Sequence, residues 1–276
     1  MRPLAIRNIL VATDFEADSA VALESVFELA GLAGSQVHIV HAGIAAPGDQ
    51  RIPKQIAELE AALNRSLDVS LLAGPPAAAI TQEATRTQAD VIVLGHHRSH
   101  AGAPGSTADR VVRSARIPCL ILPKRLALPL STVLVPVDIS AVPGLLDVAL
   151  TWASALRRRS PGSEGGSTRV EVLYVQGSDG DGQAESRLDG AVKETRERLA
   201  HITPVDIAAR VVRAADVPAT ILSHAEQSNA AMLVIGTRAK RIDTDPLGSV
   251  SSAVVSEASR PVLLVPPELW RAGPGA

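Results

Sequence analysis

The chain states nearly the same thing twice, and that constrains its fold more than any other feature. Asn8-Ile-Leu-Val-Ala-Thr-Asp14 returns as Thr132-Val-Leu-Val-Pro136-Val-Asp138. Ala89-Asp-Val-Ile-Val-Leu-Gly95 returns as Ala230-Ala-Met-Leu-Val-Ile-Gly236, and Ile117-Pro-Cys-Leu-Ile-Leu-Pro123 as Arg260-Pro-Val-Leu-Leu-Val-Pro266. The echoes keep their order. The Asp pair is 124 residues apart and the Gly pair 141, so the second copy carries extra residues between those points. A repeat this long is a duplicated domain, not a solenoid unit of roughly 20–50 residues. Two domains are expected, 1–126 and 127–268, with the join near Lys124–Leu130, where Pro123 and Pro129 flank it.

Each half of a 276-residue chain is long enough to bury its own core. Only 2% of residues are aromatic, so Ala, Val, Leu and Ile must fill that core. Residues 1–127 carry 12 basic and 12 acidic side chains, and the remainder 15 and 17. Neither half has the positive excess of a nucleic-acid binder. No apolar run approaches the roughly 20 residues of a membrane span, and the N-terminus lacks a signal peptide's apolar stretch. The single cysteine, Cys119, excludes an intrachain disulfide framework and fits a reducing, cytoplasmic setting. Its apolar surroundings predict a buried, inert thiol.

Strand-like and helix-like patterns alternate along each half. Ile9–Ala12 reads as a buried parallel strand. Ala20, Leu23, Phe27 and Ala30 then fall on one helical face, and Val142, Leu145, Ala149 and Trp152 repeat the spacing, with Ser140 expected as N-cap and Pro143 in the first turn. Further strands are expected at 37–40, 69–72 and 91–94, and at 169–175, 207–212 and 232–235. Helices are expected at about 53–67 and 184–201. The pattern predicts an α/β fold of two Rossmann-like, doubly wound domains, each with a five-stranded, mainly parallel sheet. The halves should be related by a pseudo-two-fold, as two distinct layers meeting at their fifth strands; one continuous sheet would contradict distinct layers. Residues 157–167 and 176–183 read as solvated loops, and the tail after Pro267 as frayed, with Trp270 able to dock locally.

In open parallel sheets, ligands collect at the carboxyl ends of the strands. Asp14 and Asp138 stand there, as do the loops after Gly95 and Gly236. The second loop ends in Gly248-Ser249-Val250-Ser251, opening a helix. Free backbone N–H groups, hydroxyls and the positive helix end suit an anion, with phosphate the obvious choice. An Asp after the first strand can accept from a ribose or help hold a metal-bound phosphate. The residues alone also allow a plainer reading, in which Gly-Ser starts a helix and the Asp caps a turn.

This order of features resembles the universal stress protein family, over nearly the whole chain and twice, as in a tandem member of it. The resemblance implies a stress-response factor. In the family's nucleotide-binding branch the loop reads Gly, two residues, Gly, nine residues, Gly, then Ser or Thr, with ATP phosphates on the loop and adenine against the ends of the first two strands. In the second half Gly236, Gly248 and Ser249 match, Ala239 replaces the middle Gly, and the loop is one residue short. In the first half Gly95, Gly105 and Ser106 match, Arg98 takes the middle position, and the loop is three residues short. The resemblance therefore implies ATP or a related adenine nucleotide, with Mg as its possible companion, mainly in the C-terminal half. Its contacts would come from Pro136, Asp138, Val175, Gly236, Arg238, Ala239, Gly248, Ser249, Val250 and Ser251. Arg238, Lys240 and Arg241 can neutralise phosphate or pair with Asp243 and Asp245.

The alternative is a non-nucleotide interaction module acting through protein partners or an apolar small molecule, with or without further homo-oligomerisation. An enzyme reading reaches at most a slow ATPase, because no base or positioned water stands out. His96, His97 and His100, with His38 and His41 on the second strand, show no regular metal-ligand spacing, and a metal-free loop is expected. His224 reads as a helix-face residue.

Overall fold

A computed structural model of the chain describes residues 6–15, 17–43, 51–95, 107–156, 168–177, 182–199, 206–237 and 247–271. The first half runs β1 (Asn8–Ala12), α1 (Ala17–Ala33), β2 (Gln36–Ala42), α2 (Arg51–Leu63), β3 (Asp68–Leu72), α3 (Pro76–Arg86), β4 (Val91–Gly95), α4 (Thr107–Ser114) and β5 (Cys119–Leu122). The second runs β6 (Thr132–Pro136), α5 (Val142–Ala155), β7 (Arg169–Gln176), α6 (Ala184–Arg198), β8 (Asp206–Arg213), α7 (Val217–Gln227), β9 (Met232–Gly236), α8 (Ser249–Glu257) and β10 (Val262–Val265), followed by a short α9 (Pro267–Trp270).

Within each half every strand pair is parallel. The order across the molecule is β3-β2-β1-β4-β5-β10-β9-β6-β7-β8. Read by equivalent strands, this sequence is a palindrome about the centre. The central pair, β5 with β10, is antiparallel, with Leu120 opposite Leu263. A palindromic order with an antiparallel centre is what a pseudo-two-fold normal to the sheet produces.

The halves meet at their fifth strands, as expected, but they are not distinct layers. They form one continuous ten-stranded sheet. The reason is physical. Each half alone would leave β5 or β10 with a bare edge of N–H and C=O groups, and each satisfies the other. Leu120, Ile121, Val262, Leu263 and Leu264 are all buried there. Burying an aliphatic side chain is worth about 1.5–3 kcal/mol, so parting the halves costs several such increments.

The strands carry two alternating apolar faces. Ile9, Val11, Val133, Val135, Val234 and Val265 join the core beneath α1 and α5. Leu10, Ala12, Leu134, Ile235 and Leu264 join the core beneath α3 and α7. Both halves contribute to both cores, which is why the sequence shows continuous apolar strands.

Several boundaries differ from the sequence reading. The helix expected to reach Leu67 ends at Leu63. Asn64 there adopts φ +48°, and the Glu60 carboxylate turns back to accept from the Leu67 N–H at 2.8 Å. The helix expected to reach His201 ends at Arg198. Gln176 belongs to β7 and is buried. Residues 157–167 and 178–181 of the two expected loops lie outside the described residues. The tail is not frayed through Trp270: Pro267 begins α9, and Trp270 docks.

Candidate nucleotide site at the carboxyl end of the second half

The carboxyl ends of β6, β7 and β9 open onto a cavity of about 780 Å³. That volume suits a drug- or nucleotide-sized ligand. Among its walls, Pro136 ends β6 and Asp138 follows it, Tyr174 and Val175 lie near the end of β7, and Gly236 and Thr237 close β9. Gly248, Val250 and Ser251 open α8, and the start of α5, α7 and the tail at Trp270 and Arg271 complete the lining.

Asp138 is exposed and its carboxylate accepts weakly from the Ser140 N–H at 3.4 Å. It caps a single 3-10 turn, Ile139–Ala141, that precedes α5. Ser140 therefore lies inside that turn and is not the N-cap of α5, a position held by Ala141. The aspartate one turn earlier is the better acceptor for the exposed N–H, so it takes the capping role. Pro143 stands in the first turn of α5, as expected. Asp138 is the only carboxylate among the described residues that line the cavity.

Gly248 has φ +76° and ψ 153°, a conformation that disfavours any side chain. Gly248, at the N-cap of α8, brings no side chain to the helix start, and it lines the cavity with Val250 and Ser251, whose N–H groups have no partner within the helix. The Ser251 hydroxyl donates to the Gly236 carbonyl at 3.1 Å. It ties the end of β9 to the first turn of α8 and fixes the spacing of the two loop ends. Toward an anion it therefore offers its backbone N–H. Ser249 is exposed and does not line the cavity. Arg238, Ala239, Lys240 and Arg241 lie outside the described residues.

Sequence reasoning allowed Trp270 to dock but placed neither it nor Arg271 at the site. Trp270 packs on Gly144 and Gly236, and its Nε1–H donates to the Thr237 carbonyl at 3.2 Å. A Cβ at Gly144 would lie 2.0 Å from the Trp270 carbonyl oxygen, and one at Gly236 would lie 2.9 Å from Nε1. Both glycines thus make room for the tail. The signal was Gly144 inside a helix, where glycine costs about 1 kcal/mol without some packing reason.

The first half is arranged differently. Phe15 adopts φ +60°, and its ring lies 5.8 Å from that of His41 at the ends of β1 and β2. His41 Nδ1 meets the Thr13 carbonyl at 2.9 Å. An aromatic pair therefore occupies the region where the second half keeps Ile139 and Tyr174. His38 pairs with Asp68 at 2.5 Å. Gly105, Ser106, Arg98, His96, His97 and His100 lie outside the described residues. Cys119 is buried in the central strand pair, and burial pushes its thiol up to about 12.

The sequence profile of the universal stress protein family matches residues 5–123 and again residues 130–266. The chain belongs to that family. Among curated proteins none matches the sequence. A universal stress protein from Archaeoglobus fulgidus DSM 4304 is 21% identical, with 95% of this chain and 98% of that one covered and a TM-score of 0.68. PA1789 of Pseudomonas aeruginosa PAO1, described as functionally unknown, is 17% identical, with 96% and 94% covered and a TM-score of 0.69. Both share the fold of this tandem universal stress protein across its full length. A universal stress protein solved in complex with cAMP is 24% identical over 43% of this chain and 97% of its own, with a TM-score of 0.37. The described helices include none long and apolar enough to cross a membrane.

Proposed function

We propose that this universal stress protein is a stress-response factor that binds ATP, or a related adenine nucleotide, in its C-terminal half, residues 127–268. The carrying observation is the convergence, around one cavity of about 780 Å³, of the start of α8 at Gly248, the Asp138 carboxylate and the apolar end of β7. Phosphates sit against the N–H groups of Val250 and Ser251, where the helix dipole favours negative charge. The ribose hydroxyls donate to Asp138. Adenine lies against Val175, whose backbone can read its edge. Mg, when present, takes the Asp138 carboxylate along with phosphate oxygens, in keeping with its use of one or two carboxylates. Arg238 and Ala239 complete the loop in this proposal.

The asymmetry between the halves supports the assignment. In the first half the Phe15–His41 aromatic pair stands at the corresponding strand ends. Identification of nucleotide released from the purified protein on denaturation, followed by calorimetric titration of the emptied protein, tests the reading. A released adenine nucleotide that rebinds is the expected result. A protein that releases none and takes up none would favour the non-nucleotide interaction module.

A further inference from the structure

We infer that the C-terminal tail builds a wall of this nucleotide site, with Arg271 as a phosphate-binding cation and Trp270 as the residue that holds it in place. The inference rests on the nucleotide reading of the same cavity. The tail could have left the molecule after β10, where Pro266 ends the strand. Instead Pro267 starts α9, and the Leu269 N–H closes on the Pro266 carbonyl at 3.0 Å. This turn carries Trp270 back over the carboxyl end of β9. There the indole bonds to the Thr237 carbonyl, and Thr237 in turn bonds through its N–H to the Val265 carbonyl at 2.8 Å. The tail is thereby fastened to both ends of the segment it covers.

Arg271 follows directly. It lines the cavity, and its guanidinium carbon lies 4.9 Å from the centre of the Trp270 ring. Stacking on the indole holds the planar guanidinium without consuming its donors. Asp138 is the only acidic side chain among the described residues of the cavity wall, and Arg271 makes no ion pair among the described residues. A guanidinium stacked on an indole, sharing a cavity with a helix start, is suited to a polyphosphate.

The device is specific to the second half. Gly144 admits the Trp270 backbone. After β5 the chain takes another course: the Leu126 N–H bonds to the Ser25 hydroxyl, and Leu126 is buried on the way to β6. No residue there corresponds to Trp270 and Arg271 in place.

The test compares ATP with adenosine on the full-length protein and its variants. Arg271→Gln should weaken ATP about tenfold, the loss of one charge-assisted contact, while adenosine stays within about twofold. Arg271→Lys should recover only part of the ATP affinity, because an ammonium restores the charge but not the planar stack on Trp270. ATP should also shift or quench the Trp270 emission of the wild-type protein, a signal that vanishes in Trp270→Phe and leaves only buried Trp152. Unchanged ATP affinity in Arg271→Gln, or equal weakening of ATP and adenosine, overturns the inference while leaving the nucleotide site intact. Failure of the wild-type protein to bind ATP removes the site and the inference together.

Discussion

Glu83 on α3 and His224 on α7 hold equivalent positions in the two halves, with acid and imidazole exchanged. The Glu83 carbonyl accepts from Thr87 at 2.9 Å, and the His224 carbonyl from Ser228 at 2.9 Å, so the two helices share a register. Across from them, β2 places His38 where β7 places Glu171, since Asn8 pairs with Gln36 and Thr132 with Arg169. Glu83 is buried and held by Arg86 and Ser70, with His38 on the strand beneath its helix, and His224 Nε2 lies 3.0 Å from Glu171. The duplicated fold thus keeps a buried acid and a partly buried imidazole under the same helix but reverses which element supplies each.

The reversal is testable. Glu171 is buried and also takes Arg210 Nε at 3.2 Å. Glu171→Gln should cost about 1 kcal/mol in urea denaturation, because Arg210 and the neighbouring His224 lose a charged partner. Glu171→His should cost more, and adding His224→Glu should recover much of that loss by recreating the polarity of the first half. A double variant no more stable than Glu171→His would show that the two positions are not coupled.

Glu226 and Arg260 join α7 to the start of β10. Hydrogen bonds from Arg260, and then from Ser259, hold the Glu226 carboxyl down at about 2. A depressed carboxyl contributes stability that is full above its ordinary value of about 4.5 and is lost as pH falls through about 2. Thermal melts of Glu226→Gln should therefore lie below wild type at neutral pH and converge with it as the pH falls from about 4.5 to about 2. Parallel curves throughout would contradict the pairing.

Cys119 provides a probe of the seam between the halves. It is buried opposite Leu264, with its thiol raised by burial to about 12. Labelling by an aromatic disulfide reagent should be slow at neutral pH and should accelerate only in denaturant, tracking global unfolding. Fast labelling of the native protein would mean that β5 and β10 separate readily.

Gly248 makes a local prediction. Its φ of +76° is poorly tolerated by an L side chain. Gly248→Ala should cost about 1 kcal/mol or more of stability as well as affinity, so this variant reports strain and binding together. A variant as stable as wild type would show that the loop can adopt another backbone conformation.

Much of this was readable from residues. The repeat located both halves, and apolar spacing placed Leu23, Leu145 and Trp152 in the core, all buried. The edge-strand argument found β5 and β10 but not the continuous sheet, because strand patterning does not say whether two edges stack or pair. Ser140 looked like the cap of α5 by residue type, yet it lies inside a 3-10 turn capped by Asp138, and Ala141 holds the N-cap position of α5. Trp270 was invisible to periodicity, since a single turn after a Pro-Pro pair has no period to detect. Its signature was instead two glycines, Gly144 and Gly236, more than 90 residues apart in the chain and making room for the backbone and the indole of the same residue.

The central claim is a nucleotide in the second half, and calorimetric titration of wild type and Val250→Glu with ATP tests it most directly. Val250 is only half-buried on α8 and lines the cavity, so a carboxylate there should fold while repelling phosphates. The account predicts a single ATP per wild-type chain and at least a tenfold loss in Val250→Glu, with an unchanged circular-dichroism spectrum. Two ATP per chain, or a single ATP bound equally well by Val250→Glu, would contradict it.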